Sequence, residues 1–462
     1  MSRRRRAVHS GIDETYWDGL DNAAKLFPAV TSTRNPNVFR ITAVLREEVE
    51  PAVLQTAVEK ALAIMPSFAV KLQRGLFWYY FDVNSEHPVV REERDWPCKP
   101  IYRARERGFL FRVLYYKKRI SFEIYHALSD GMGAVQFLTL ILYCYYNIKD
   151  PEGVPEEYIR READRIARDF DEDSFQHAAG EGVWTLKKER EREPDAFRLT
   201  GYRYDGDRLG ALTAAVPVDA LLAEARACGA SLSEYLTALL VWSIYNTAYR
   251  RSSRHRPIVI SVPVNLRGMF DSITLRNFFG HMNIPVHPGR GDTFESVLAV
   301  TREQFKRCLN REYFERQITG HVSIERIPGV RFVPLFIKDM IMRANFRRAL
   351  TKYTCTFSNL GRMTLPPMIE DRVERFELLI GSSYSHPKKL SLISYQNVLS
   401  LTFSSTMDDN SVEQFMLSFL ADRGIPVTVS CNETPAPERV KKQKNQPPEG
   451  GDDACAAADT AG

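Results

Sequence analysis

The hydrophobic positions in the first third of the chain follow a helical period and then a strand period. Residues 51–65 carry apolar side chains every three or four positions, which predicts an amphipathic helix: Val53, Leu54, Ala57, Val58, Ala61, Leu62 and Met65. Pro51 suits the first turn of this helix, because its missing N–H has no intrahelical partner there. Residues 109–116 and 120–125 are rich in aromatic and β-branched side chains and flank a basic turn. This pattern predicts a β-hairpin.

A second alternation of helix and strand signals follows residue 205. Ser231 and Glu234 have the spacing of a capping box, in which each side chain accepts a hydrogen bond from the other residue's backbone N–H. They precede an apolar helix predicted at 235–248, and residues 256–264 have the composition of a buried strand. Because helices and strands alternate in both halves, the pattern predicts an α/β protein with two lobes.

Changes in composition divide the 462 residues into five segments. Residues 1–11 form a flexible basic tail, and residues 12–150 form the first lobe. The strongly charged segment 151–205, which is punctuated by prolines, is interpreted as an exposed crossover or linker. Residues 206–431 form the second lobe. Residues 432–462 contain too few apolar side chains to order themselves, so we expect a disordered tail.

Charge and cysteine content exclude several classes of function. The 63 basic and 58 acidic residues leave a net charge of +5, which argues against nucleic acid as a partner because phosphate binding requires a concentrated basic face. The seven cysteines are scattered and never form a C-x-x-C pair. Neither a disulfide scaffold nor a zinc knuckle is predicted, and a reduced, cytoplasmic protein fits best.

The N-terminus is basic but differs from an export signal. Acidic residues at 13, 14 and 18 follow the arginine run 3–6, where a signal peptide requires an apolar core. The longest apolar run, 137–148, is shorter than the roughly 20 residues that cross a bilayer, so no transmembrane segment is predicted. A solvated tail is the favoured interpretation of the arginine run, and weak peripheral contact with anionic lipid is the alternative.

The strongest candidate for chemistry is His126, which stands where the second strand of the predicted hairpin ends. Asp130 and Gly131 follow it and precede an apolar helix at 134–146. A histidine at a strand end can have one ring nitrogen held locally and the other free to accept a proton. The spacing alone favours an ordinary strand-end histidine and an aspartate that only caps the helix.

Four segments, in order, resemble the H-x-x-x-D-G acyltransferase superfamily: 126–131 (HALSDG), 263–267 (PVNLR), 277–283 (NFFGHMN) and 357–361 (FSNLG). This superfamily includes chloramphenicol acetyltransferase, plant BAHD acyltransferases, wax ester synthases, alcohol acetyltransferases and nonribosomal-peptide condensation domains. The resemblance extends over residues 16–429 and is closest to stand-alone bacterial alcohol acetyltransferase-like proteins. It implies two chloramphenicol-acetyltransferase-like lobes, each a mixed β-sheet flanked by helices, with the active-site channel between them.

The resemblance also implies a reaction. His126 is the general base that accepts the proton of a hydroxyl acceptor while an acyl group leaves a thioester. Acyl-CoA is the expected co-substrate, with an acyl carrier protein as the alternative donor. No permanently bound cofactor and no metal is implied. Ser358 is a candidate hydrogen-bond donor to the oxyanion, although a polar residue at a strand end has the same pattern.

The other matched residues are implied to support the loop that carries His126. Asp130 is a structural residue that, with Gly131, forms the turn, and its carboxylate is expected to pair with an arginine of the second lobe. Arg267 is the preferred partner and Arg276 is the alternative. Asn265 belongs to the same strand end as Arg267.

One departure from the superfamily pattern bears on the choice of reaction. Condensation domains usually carry a second histidine immediately before the catalytic one, and this chain has Tyr125 there. The tyrosine favours simple acyl transfer over peptide-bond formation. The alternative function is a catalytically silent or condensation-like binding protein that docks an acyl or peptidyl carrier protein.

Overall fold

The computed structural model describes residues 17–103, 108–161, 174–178, 194–205, 208–252, 256–327 and 329–432. The strands in these ranges are β1 Trp17–Gly19, β2 Val38–Leu45, β3 Val70–Arg74, β4 Tyr79–Val83, β5 Arg91–Glu92, β6 Phe111–Tyr116, β7 Arg119–Tyr125, β8 Gly210–Pro217, β9 Ile258–Asn265, β10 Phe279–Val286, β11 Cys355–Met363, β12 Val373–Ile380, β13 Lys388–Tyr395, β14 Val398–Ser405 and β15 Thr428–Cys431. The α-helices are α1 Leu26–Val30, α2 Pro51–Ile64, α3 Gly131–Lys149, α4 Ser174–Ala178, α5 Val218–Ala227, α6 Leu232–Thr247, α7 Arg267–Phe270, α8 Phe294–Cys308, α9 Arg311–Arg326, α10 Leu335–Ala349, α11 Pro367–Glu370 and α12 Ser411–Ala421.

The strands form two large mixed sheets and one small sheet. The first lobe has a five-stranded sheet in the order β12-β2-β7-β6-β5, antiparallel except for the parallel pair β5–β6. The second lobe has a seven-stranded sheet in the order β10-β9-β11-β13-β14-β8-β15, in which β11 runs parallel to both neighbours. A small antiparallel sheet has the order β1-β4-β3. The two-lobed α/β fold with mixed sheets is therefore confirmed.

Local sequence signals correspond closely to the elements that form. Helix α2 begins at Pro51 and buries Leu54, Ala57, Val58, Ala61 and Leu62. The hairpin is β6–β7, and its turn is shorter than predicted because Arg119 already pairs with Tyr116. Lys117 occupies the left-handed region, with a φ of 50°. Ser231 and Glu234 form the complete capping box at the start of α6.

Strand β12 departs from the predicted division of the chain. Residues 206–431 were assigned to the second lobe, but β12 pairs antiparallel with β2 and completes the first-lobe sheet. This pairing covers an edge of β2 that would otherwise present unpaired N–H and C=O groups. Phe376, Leu378 and Leu379 join the first-lobe core, so the strand also buries apolar area there.

The linker interpretation expected the charged segment 151–205 to be exposed, but parts of it are buried. Val154 and Ile159 belong to the first-lobe core, while Phe175 and Phe197 belong to the second. Burial of these apolar side chains fixes the described parts of the segment to both lobes. Its remaining residues, 162–173 and 179–193, lie outside the described residues, as do the predicted tail 1–11 and, of the predicted tail 432–462, all residues but Asn432, which bonds to Ala211.

Helices cover the sheets and complete two separate cores. In the first lobe, α2 packs on α3, which buries Phe137, Leu138 and Ile141. In the second, α6 buries most of its length. Within the described ranges no single helix is long and apolar enough to cross a membrane, although α5 with the segment Leu232–Arg251, bent by 81°, meets the length and composition limits as a pair.

Candidate active site

The candidate site lies where the loop between β7 and α3 meets the second lobe. β7 ends at Tyr125 and α3 begins at Gly131, so residues 126–130 form the connection. Opposite this loop are the end of β9, helix α7 and the segment that leads into β10. The contacts across this junction bring three of the four matched sequence segments together, and the fourth, 357–361, reaches it through Leu360.

The imidazole of His126 lies in an aromatic cage built from both lobes. Phe27 stacks on it with ring centroids 4.6 Å apart, and Phe39 meets it edge-on at 5.0 Å. Phe279, the first residue of β10, completes the cage from the second lobe at 5.3 Å. The backbone N–H of His126 donates to the carbonyl of Asn37, which anchors the strand end. The ring is thus held at the lobe junction while remaining partly exposed.

Asn277 determines which ring nitrogen of His126 carries the proton. The His126 Nδ1 atom lies 3.1 Å from Asn277 Oδ1. The Asn277 amide is itself oriented by buried Asp21, whose carboxylate accepts hydrogen bonds from Asn277 Nδ2 at 3.1 Å and from its backbone N–H at 3.3 Å. Because an amide oxygen can only accept, this arrangement places the proton on Nδ1 and leaves Nε2 unprotonated. Nε2 is therefore the nitrogen available to a substrate.

The surroundings keep this imidazole neutral at neutral pH. Burial among the aromatic rings lowers the pKa of His126 below its ordinary value of 6.5. The His126 carbonyl, the Asp130 carboxylate and Asn277 act in the opposite direction, but they do not offset the desolvation. A neutral imidazole with a free Nε2 is the form that a general base requires.

Asp130 is both a helix cap and one half of an ion pair between the lobes. Its Oδ1 accepts hydrogen bonds from the N–H groups of Met132 and Gly133 in the first turn of α3. Arg267 donates to both carboxylate oxygens, at 2.8 and 3.1 Å, and the N–H of Phe278 adds a third contact from the second lobe. The carboxylate is buried, so these donors take the place of water.

Arg267 rather than Arg276 faces Asp130. The Arg267 guanidinium also donates to the carbonyls of Thr274 and Arg276, and to Asn265 Oδ1, which holds the fork in a single orientation. Arg276 points elsewhere and donates to the carbonyl of Gly19. Asn265 thus acts on Arg267, and no contact between Asn265 and His126 occurs among the described residues.

Two glycines at the start of α3 are closely approached by residues from the second lobe or the preceding loop. A Cβ at Gly131 would collide with the side chain of Leu360, which follows the Ser358-Asn359 pair on β11. A Cβ at Gly133 would collide with Ser129 Oγ and with the carbonyl oxygen of Leu275. Ser129 Oγ donates to that same carbonyl at 2.6 Å, which adds a further hydrogen bond between the lobes.

Ser358 is placed on β11 but not against His126. It pairs in register with Ser391 of β13 and is partly exposed. No contact between Ser358 and the imidazole occurs within the described part of the chain. The adjacent Asn359 is used structurally, since it donates to Ser233 and accepts from the N–H of Gly361. An oxyanion role for Ser358 stays a prediction.

Tyr125 takes no part in the space around His126, because neighbouring strand residues point to opposite faces. It is buried, stacks on Tyr102 with ring centroids 5.2 Å apart, and its hydroxyl lies 2.9 Å from Thr31 Oγ1. Burial raises the pKa of the Tyr125 phenol well above its ordinary value, so it is not poised to act as a base near neutral pH.

Asp21 and the role of Asn277 were missed by the sequence reasoning. Asn277 lies in a segment that carried the resemblance, but its position 151 residues after His126 gives no local signal of their contact. Asp21 precedes α1 by a few residues and has the pattern of an ordinary turn aspartate, a role it also fills by capping Ala24. Only the packing of the two lobes shows that the three side chains form one chain of hydrogen bonds.

Other chemistries find little support in the described residues. These residues contain no group of three or more histidine, cysteine or acidic side chains that could hold a metal ion. Cys355 is buried in β11, and burial raises the pKa of its thiol to about 12, so it is not an activated nucleophile.

Neither a protein-family model nor a curated protein sequence matches this chain, but solved structures do. The first condensation domain of the calcium-dependent antibiotic synthetase is similar with a TM-score of 0.61 at 13% identity, covering 90% of this chain and 100% of that one. Trichothecene 15-O-acetyltransferase from Fusarium sporotrichioides has a TM-score of 0.56 at 10% identity, with 89% and 97% covered. A variant of the starter condensation domain of rhizomide synthetase, in complex with C8-CoA and Leu-SNAC, has a TM-score of 0.55 at 12% identity, with 88% and 93% covered. At these identities the likeness shows that the chain has the two-lobed fold of condensation domains and of an O-acetyltransferase.

Proposed function

We propose that this protein is an acyltransferase that moves an acyl group from a thioester, acyl-CoA, to a hydroxyl acceptor, with His126 as the general base. The observation that carries the proposal is the state of His126: a neutral imidazole at the lobe junction, with Nδ1 held by Asn277 and Nε2 available. The fold shared with a trichothecene O-acetyltransferase and with a condensation domain that binds C8-CoA supports it.

The proposed reaction needs one proton carrier and no metal. Nε2 of His126 accepts the proton of the acceptor hydroxyl as its oxygen attacks the thioester carbonyl and forms the new C–O bond. The tetrahedral intermediate then collapses with cleavage of the C–S bond, and the imidazolium returns the proton to the leaving thiolate. Ser358 is the proposed donor to the oxyanion, and Asp130 and Arg267 hold the loop on which His126 stands.

A thiol-release assay tests this proposal directly. Purified full-length protein is incubated with acyl-CoAs of short and long chain against a panel of alcohols and amines, and free coenzyme A is measured. We expect release that depends on an alcohol and that falls in the His126→Ala variant. Ester formation, identified by mass spectrometry, must accompany the release. Absence of acceptor-dependent release across both panels, with protein shown to be folded, would contradict an acyl-CoA-dependent enzyme.

The competing function is condensation-like docking of an acyl or peptidyl carrier protein. The fold shared with condensation domains supports this alternative as well. The same assay with acyl groups on a phosphopantetheinylated carrier protein separates the two donors. We favour simple acyl transfer to a hydroxyl over peptide-bond formation because Tyr125, in the place of the second histidine, is hydrogen-bonded away from the site. Amide formation on a carrier alone would reverse that choice.

A further inference from the structure

A group of large apolar side chains is exposed around the start of α10. Its members, which we call the apolar face, are Leu76, Ile327, Phe332, Phe336, Met340 and Ile341. The relative exposure of Phe332 is 78% and that of Leu76 is 72%, so these side chains protrude into solvent rather than cover a neighbouring element. Single exposed apolar residues are common on soluble proteins, but six of them on α10, in the turns before it and at the adjoining Leu76 mark an interaction surface.

The apolar face is rigidly attached, because the opposite side of α10 is fixed to residues 74–79. The backbone N–H of Leu335 donates to the carbonyl of Leu76 at 2.9 Å. Lys338 is buried over the ring of Trp78, and buried Asp339 accepts a hydrogen bond from Tyr79. The buried side of α10 thus includes Lys338 and Asp339, while its solvent side carries Phe336, Met340 and Ile341, so large apolar side chains occupy positions that an ordinary surface helix gives to polar ones.

Positive charge borders the apolar face along residues 331–348. Arg331, Arg347 and Arg348 are exposed, and within the described part of the chain none of them forms an ion pair. The acidic residue in the stretch 331–348, Asp339, is buried and already bonded. Apolar side chains that protrude between arginines match the interface of a bilayer that contains anionic lipid.

The apolar face lies one helix away from the candidate base. Arg343 Nε of α10 donates to the carbonyl of Ala29 at 2.6 Å, which ties α10 to α1. Helix α1 carries Phe27, the ring that stacks on His126. A molecule held against the apolar face is therefore close to the junction between the lobes.

We propose that the apolar face docks the protein onto the surface of a bilayer containing anionic phospholipid. Phe332, Phe336 and Met340 insert at the headgroup boundary, and the flanking arginines contact the phosphates. The docking itself is independent of the reaction. Its consequence, that the acyl acceptor is a lipid-phase alcohol reaching His126 from the membrane surface, rests on the proposed function.

Flotation of the full chain with vesicles tests the docking. We compare phosphatidylcholine vesicles with vesicles that also contain phosphatidylserine, for the unmodified protein and for F332S/F336S/M340S. We expect the triple variant to lose at least tenfold in affinity for the mixed vesicles, while V89S/V300S/L309S, three exposed apolar residues on other surfaces, binds as the unmodified protein does. R331Q/R347Q/R348Q should lose about fivefold per arginine, specifically on the anionic vesicles.

The arginine run 3–6 is the competing lipid-binding segment. The variant R3S/R4S/R5S/R6S shows whether this run or the apolar face binds the vesicles. Loss of vesicle binding in that variant together with full binding by F332S/F336S/M340S would overturn the proposal. Tight binding to an acidic carrier protein without binding to either vesicle would also overturn it. Circular dichroism and turnover of a water-soluble alcohol should be unchanged in F332S/F336S/M340S. Failure of turnover in every variant, with vesicle binding still dependent on the apolar face, would refute the acyltransferase and leave the docking intact.

Discussion

Two buried carboxylates, Glu123 and Asp130, lie on either side of His126, and each is bound by arginine. Glu123, on β7, accepts hydrogen bonds from Arg40 at 2.8 Å, from Arg112, and from the N–H of Cys98. All of these partners belong to the first lobe. Asp130 receives Arg267 and the N–H of Phe278 from the second lobe and two helix N–H groups from the first.

The comparison shows that burial of a charge does not by itself mark a functional site. Burial would raise the pKa of Glu123, but Arg40, Arg112 and the Cys98 N–H outweigh it and hold the pKa of that carboxyl below its usual range. Glu123 is thus buried, ionised and fully hydrogen-bonded, but all of its partners lie in the first lobe, so its role is to stabilise that lobe. Asp130 connects the lobes beside His126, so its removal changes the site as well as the stability.

The largest effect is expected where the chemistry is placed, at His126. His126→Ala should lower kcat by roughly 10²–10⁴-fold, the usual scale for a lost acid–base group, in protein that still folds, with a lower melting temperature because the packing against Phe27 and Phe39 is lost. The measurements are thiol release and a thermal melt. Undiminished turnover in this variant would leave His126 as a strand-end histidine packed among aromatic rings.

Glu123→Ala should instead affect stability with little change in chemistry. It removes the carboxylate shared by buried Arg40, which keeps Glu93, and half-buried Arg112, so the free energy of unfolding should fall by up to about 3–5 kcal/mol, the scale for breaking a buried ion pair. Denaturant titration measures the loss, and kcat per folded molecule should stay within a few-fold of the unmodified protein. A kcat loss as large as that of His126→Ala, in protein that is still folded, would show that the polar face of the first sheet belongs to the site.

Asp130 and Arg267 should show coupled, intermediate effects. Asp130→Asn keeps an oxygen that caps α3 but loses the charge, and Arg267→Ala removes the partner, so each should lower both stability and kcat/KM. In the double variant the effects should be non-additive by about 0.5–3 kcal/mol, as for residues in direct contact.

Arg276→Ala is the matched control for this cycle, because Arg276 donates to Gly19 rather than to Asp130. It should show additivity with Asp130→Asn. If the effects of the Asp130 and Arg267 substitutions also add, and Asp130→Ala alone lowers the free energy of unfolding by about 1 kcal/mol, Asp130 acts only as a helix cap.

Elements specified by neighbouring residues were predictable from the sequence, and long-range pairings were not. The period of residues 51–65 and the capping box at Ser231 depend on contacts within one or two turns, so α2 was predicted to within one residue and the N-cap of α6 was identified, although α6 begins three residues before the predicted start at 235. Strand β12 pairs with β2, which precedes it by more than 300 residues, and its own composition does not say which sheet it joins.

The candidate site divides in the same way. The loop 126–131 was visible because its motif is contiguous, and Arg267 was available through the resemblance. Asp21 and Asn277 are joined to His126 only by the closure of one lobe on the other, which no local pattern encodes. Ser129 was likewise passed over, because a serine that bonds the Leu275 carbonyl has the same local pattern as one that does not.

The smallest and most discriminating expectation concerns pH. A general base works in its unprotonated form, and the pKa of His126 lies below 6.5, so log kcat/KM should stay level down to about that pH and fall only at lower values. Asp130 raises the pKa of His126 by its charge, whereas the charge of Glu123 is enclosed by arginines of the first sheet. Asp130→Asn should therefore move the acidic limb to lower pH, by less than about one unit, while Glu123→Gln leaves it in place. An acidic limb that moves equally in both variants would mean that the two carboxylates act on His126 through a common change in the fold, and the distinction between them would fail.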